Sequence, residues 1–169
     1  EELSKREILT DFEYDVLLRC RDFLWQLRYA LHMVTGREED QLLFDFQEDI
    51  AKVLGFEDND EMLGVEQMML QYYRCTMALG EMNDLLMLLF NEMIIDSQKV
   101  QSIQPISEFF QRHNDYLEIQ HENLFEQQPH AMLEVFYHLA SDSSLKGVRA
   151  NTARALRDNY KLIDDEFRS

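Results

Sequence analysis

From Val65 to Met93 the chain places apolar residues at Val65, Met68, Tyr72, Cys75, Leu79, Met82, Leu86, Leu89 and Met93. The steps alternate between three and four residues over nine positions, which is the signature of one face of an α-helix. At ~1.5 Å per residue, a helix over residues 62–95 reaches on the order of 50 Å. A helix of that length forms the spine of a bundle or spans between domains. Gly64 and Gly80 interrupt it, each costing ~1 kcal/mol against Ala, and a kink is expected near Gly80.

The segments before it are helical too. Thr10 and Glu13 have the spacing of a capping box, which starts a helix at about Asp11. Leu17, Cys20, Leu24, Leu27, Leu31 and Val34 continue it as an apolar seam, and Gly36 is its stop. A second helix is expected over residues 40–54, capped by Asp40, with Leu43, Phe46, Ile50 and Val53 facing inward and Gly55 ending it. After Asp96 a polar connector runs to about Pro105. Asn114-Asp115 then separates two β-prone runs, Phe109 to Arg112 and Tyr116 to Ile119, which reads as a small hairpin. Pro129 opens a helix with Met132, Val135, Phe136 and Leu139 inside, and a last helical segment covers Arg149 to about Ile163. The expected fold is mainly α: a helical bundle with one long spine helix, a small β-hairpin and C-terminal helices. It is read as a single helical domain over 1–169. Within it, 1–96 is the bundle, 97–120 the connector and hairpin, and 121–169 the helices leading onward.

Composition narrows the function classes. A chain of 169 residues with 46% hydrophobic content can bury a core, and two prolines and five glycines leave little room for loops. A formal charge of −17 opposes nucleic acid and anionic membrane surfaces as partners. No apolar run reaches the ~18 residues of a membrane span. Cys20 and Cys75 lie in helical patterns far from any CxxC spacing, so reduced thiols and a cytoplasmic setting are expected. The chain opens in EELSKRE and closes in LIDDEFRS, which is expected of a fragment of a larger multidomain chain.

Motifs for chemistry are scarce. The five histidines have no HxxxH or HExxH spacing, and neither a glycine-rich phosphate loop nor a G-x-S-x-G elbow is found. The D-x-D in EDND, 57–60, lacks a strand and a Gly-Ser turn, so it reads as a solvated loop capping the next helix. Two cationic constellations stand out. Arg28, His32 and Arg37 surround the Gly36 elbow, where they can meet the helix dipole and Glu38, Glu39 or Asp40. Lys146, Arg149, Arg154, Arg157 and Lys161 face only Asp158 in a local stretch of opposite sign to the whole. That stripe either docks on acidic surface of the same chain or meets a neighbouring domain, a phosphate or an acidic partner.

Several longer words are more specific. RDFLWQLRYALHMVTGREEDQLLFDFQEDIAKVLGF and VEQMMLQYYRCTMAL resemble the helical region after the nucleotidyltransferase domain of bacterial PII uridylyltransferase/uridylyl-removing enzymes. FFQRHNDYLEI, PHAMLEVFYHLA and KGVRANTARALRD match that family in order, and LIDDEFR resembles its join to the His-Asp hydrolase domain. Glutamine-synthetase adenylyltransferases carry a related region but fit these words less well. The resemblance covers nearly the whole chain. It implies a parent that uses UTP and Mg²⁺ to uridylylate the PII regulatory protein, removes UMP hydrolytically, and answers to glutamine. The family's catalytic and metal motifs match no position here, so this piece is expected to hold no catalytic residue, cofactor or metal of its own. Arg37, Arg74, Arg149, Arg154 and Arg157 are the candidates for contacts to phosphate or to neighbouring domains. A PII-docking module and a purely structural spacer are the alternative readings.

Overall fold

The computed structural model describes residues 8–98 and 101–163. The fold is mainly α, with a small four-stranded sheet. In chain order the elements are α1 (Asp11–Thr35), α2 (Phe44–Val53), α3 (Gly64–Gln98), β1 (Ile103–Pro105), β2 (Phe110–His113) and β3 (Tyr116–Ile119). Then follow α4 (Leu124–Gln127), α5 (Ala131–Ser141), β4 (Gly147–Val148) and α6 (Ala150–Asn159), which ends in a 3₁₀ turn, Tyr160–Leu162. The chain divides into two compact units, Glu1–Asn83 and Asp84–Ser169, and the division falls inside α3.

In the first unit, α1 starts on the capping box read from the sequence. The Thr10 hydroxyl accepts from the Glu13 N–H at 3.2 Å, and the Glu13 carboxylate accepts from the Thr10 N–H at 2.8 Å. Two orphan donors of the first turn are thereby satisfied. Gly36 ends the helix at φ 66°, a left-handed conformation open to glycine at no steric cost. The core joins Cys20, Phe23, Leu27, Ala30 and Leu31 of α1 to Ile50 and Ala51 of α2 and to Met68 and Cys75 of α3. Burial pushes the Cys75 thiol up to about 11, and the adjacent Cys20 thiol adds to the effect.

The second helix departs from expectation at its start and on its face. It begins at Phe44, not Asp40, because the Glu39 carboxylate accepts from the Asp40 and Gln41 N–H groups, each at 3.1 Å, and holds that stretch in a turn. Leu43 occupies the cap position without a side-chain bond, and Asp40 pairs with Arg28 instead. The buried side is Gln47, Ile50 and Ala51, while Leu43 and Val53 are exposed. Its end is a Schellman motif: the Gly55 N–H donates to Lys52 O at 3.1 Å and the Phe56 N–H to Ala51 O at 2.9 Å.

The loop at 57–60 caps α3. The Asp58 carboxylate accepts from the Gly64 N–H at 2.7 Å, and the Asn59 side chain accepts from the Glu61 and Met62 N–H groups. Gly64 is the first residue of α3, and a Cβ there would stand 2.5 Å from the Phe56 carbonyl oxygen. Gly80 has nothing within 4 Å, and the helix runs unbroken through it.

In the second unit the strand order is β1-β2-β3-β4; the first three are antiparallel and β4 runs parallel to β3. The expected hairpin is present with β2 one residue later, in the register His113 opposite Tyr116. Asn114 makes the turn at φ 56°, and its side chain accepts from the Ser102 N–H. The end of the expected connector is strand β1, so residues 103–105 belong to the sheet. Phe110, Leu117, Ile119, Leu124, Phe125, Met132 and Val135 form the core. Met132 and Val135 of α5 lie inside as read, but Phe136 is 62% exposed because the buried stripe of this short helix is narrower than the apolar one.

Two outcomes test this account. Gly64→Ala should destabilise the chain by about 1–3 kcal/mol, since a methyl group would press on backbone that has to move. Gly80→Ala should instead stabilise it by ~1 kcal/mol. Urea unfolding followed by circular dichroism measures both. Cys20 and Cys75 should resist iodoacetamide at neutral pH until the chain is denatured, which mass spectrometry reads directly.

Candidate functional site

The alternation of a strand gives the hairpin two unlike faces. Phe110, Leu117 and Ile119 enter the core, which turns Gln111, His113 and Glu118 to the opposite side. There Glu118 is the acceptor for four side chains. Its Oε2 accepts from Gln111 Nε2 at 2.8 Å and faces His113 Nδ1 at 3.1 Å; its Oε1 accepts from Asn151 Nδ2 at 3.1 Å and lies 3.3 Å from Arg149 Nε. Arg149 also reaches Glu92 of α3, with Nη2 3.2 Å from Oε2. The other oxygen of Glu92 accepts from the Ala150 N–H at the start of α6. All three charged side chains are only 11–15% exposed.

Two carboxylates thus share one guanidinium in a largely dry place. The Arg149 guanidinium and the Ala150 N–H at the start of α6 together satisfy them. His113 is buried beside them. Its Nδ1 lies 3.1 Å from Glu118 Oε2, and its Nε2 finds no partner among the described residues.

Three of the other four cations of the basic stripe are engaged, and Lys161 is exposed. Lys146 Nζ donates to Asp115 Oδ2 at 2.8 Å, which raises its pKa above the ordinary value. Arg157 pairs with Asp158 at 2.8 Å, and Arg154 is half-buried and engaged. In the first unit, Arg37 pairs with Glu39 at 2.9 Å and Arg28 with Asp40 at 3.0 Å. The Gln41 N–H, and after it Arg37, hold the Glu39 carboxyl below its ordinary range. Arg74 is exposed on α3. The five candidate arginines are divided between the units: Arg37 and Arg74 belong to the first, Arg149, Arg154 and Arg157 to the second.

Glu92, Glu118 and His113 were not singled out in the sequence. The only local hint was the period-two placement of Gln111 and His113 against Tyr116 and Glu118. Among the described residues no group of His, Cys, Asp and Glu is arranged to hold a metal ion, and no helix is long and apolar enough to cross a membrane.

These elements fall within two family models in chain order. Residues 1–87 match the model described as GlnD PII-uridylyltransferase, and residues 110–169 match the uridylyltransferase GlnD third domain. The chain belongs to the PII-uridylyltransferase family. It is 47% identical over 98% of its length to the bifunctional uridylyltransferase/uridylyl-removing enzyme of Pseudomonas aeruginosa. It is 46% identical over 99% to that of Pseudomonas syringae and 45% identical over 95% to that of Azotobacter vinelandii. The chain spans 18% of the length of each of these three relatives. No solved structure matches it.

The buried bridge and the surface pairs should respond differently to truncation. Arg149→Met leaves two buried carboxylates without their cation and should cost about 3–5 kcal/mol in urea unfolding. Arg37→Ala, at an exposed pair, should cost less than about 1 kcal/mol.

Proposed function

We propose that this chain is the central helical region of a bifunctional enzyme that uridylylates the PII regulatory protein with UTP and removes UMP from it. The observation that carries this reading is the ordered match of residues 1–87 and 110–169 to two regions of one family. The parent uses Mg²⁺ and UTP, answers to glutamine and works in the cytoplasm. This region supports the nucleotidyltransferase site and links it to the His-Asp hydrolase domain, and it contributes no catalytic residue. Nucleotidyl transfer depends mainly on positioning and on fixed charge, which a rigid helical block beside the transferase domain can supply.

Arg37 and Arg74 are the residues through which such support is best tested, because both are exposed on the first unit. Arg37→Ala or Arg74→Ala in the full-length parent should lower uridylylation or UMP removal by about tenfold or more, the scale of a small misplacement of reacting groups. The melting temperature of the 169-residue chain carrying the same change should stay where it was. If both activities are unchanged in both variants, the contact role of these arginines is wrong.

A second reading, direct docking of PII, is favoured by open apolar surface in the first unit, including a groove of about 480 Å³ lined by Leu17, Leu24, Trp25 and Leu79 with Arg21 and Arg28 at its edge. Calorimetric titration of the chain with unmodified PII, with and without UTP and Mg²⁺, separates the two. A saturable heat supports docking, and its absence leaves the region as a scaffold.

A further inference from the structure

Phe44 is 87% exposed at the first turn of α2, an unusual place for a phenylalanine. It stands over a cleft of about 680 Å³ between α2 and α3, with Tyr72 and Tyr73 on the opposite wall and Met69 among the lining residues. The two tyrosine rings meet edge to face, 5.6 Å between centroids. Glu48 and Glu66 also line the cleft, and among the described residues no Lys or Arg does.

The surrounding sequence reinforces that sign. Residues 38–66 hold eleven carboxylates against the single Lys52, a net −10 out of the −17 of the whole chain. Lys52 itself lies 3.8 Å from Asp49. Aromatic faces carry negative charge density, so a cation over them is attracted by the rings and by the carboxylates together. The same field repels phosphates, nucleic acid and a second copy of this chain.

We propose that this cleft docks a basic protein segment, which inserts a Lys or Arg side chain between Phe44 and the Tyr72–Tyr73 pair with its charge toward Glu48 and Glu66. The aliphatic stem of such a side chain packs on the apolar lining while the head reaches the carboxylates. Long-range attraction to the 38–66 segment speeds encounter, and the aromatic walls select a cation over a neutral polar group. The inference is independent of the enzymatic reading, since it needs only the cleft and its charge.

The test uses the intact 169-residue chain and a blocked peptide, Gly-Ala-Arg-Ala-Gly, with citrulline in place of arginine as the neutral isostere. Ring-proton shifts of Phe44, Tyr72 and Tyr73 are followed by NMR. The arginine peptide should shift these rings saturably and lose affinity as salt rises. The citrulline peptide should bind roughly fivefold more weakly or worse, the ratio expected for losing one cation–π contact. Phe44→Ala and Glu48→Gln should each weaken the arginine peptide several-fold. Both positions are exposed, so the fold should persist, as thermal melting checks. The proposal is overturned if the rings do not respond, if citrulline binds equally, or if both Phe44→Ala and Glu48→Gln bind as the unaltered chain does. The last result would reduce the effect to general attraction by an acidic surface.

Discussion

Arg149 has two buried carboxylates to neutralise and little water to help it, and much of the second unit is arranged around that fact. Glu118 lies on β3, Glu92 on α3, and Arg149 is the cap residue of α6, so one guanidinium ties three elements. An isolated charge in such a place would be expensive, and removing one partner strands the others. The side-chain amides of Gln111 and Asn151, the Ala150 N–H and His113 fill most of the remaining acceptor positions. Apolar packing on the other side of the sheet supplies the burial that holds these groups in place. The polar face gives the sheet a unique partner and register, since a one-residue slip would bring Leu117 or Ile119 to Arg149.

The first unit is organised differently. Its elements meet through an apolar core, and its polar groups work at the ends of helices. Thr10 with Glu13, Glu39, and Asp58 with Asn59 each satisfy backbone donors where a helix begins or a turn forms. The Arg-Glu-Glu-Asp stretch after Gly36 is thus accounted for as an elbow: Arg37 with Glu39, and Asp40 with Arg28. The aromatic residues left outside the core are the surface on which recognition can be built.

The parts legible in the sequence are those decided within a few residues. The capping box, the Gly36 stop, the length of α3 and the Asn114 turn all depend on neighbours in the chain. The start of α2 lies at Phe44, later than the Asp40 pattern predicts, because the Glu39 carboxylate takes the Asp40 and Gln41 N–H groups and holds that stretch in a turn. Strands β1 and β4 have three and two residues, and they exist only through pairing with β2 and β3. The site is the least legible part. Ala150 and Glu92 are 58 positions apart, and no periodicity links them. The basic stripe was visible as charge, but whether Arg149 faces solvent or a buried carboxylate is a matter of tertiary packing.

The bridge has one more consequence, for the helix that carries Glu92. Adjacent residues on an α-helix are separated by ~100° of rotation and ~1.5 Å of rise, so only one angular setting of α3 within its unit presents that carboxylate to Arg149 and the Ala150 N–H. A spindle of regular apolar side chains could turn or slip by a step and still find greasy contacts. With Glu92 in place it cannot, and the end of the rod is keyed like a shaft in its hub.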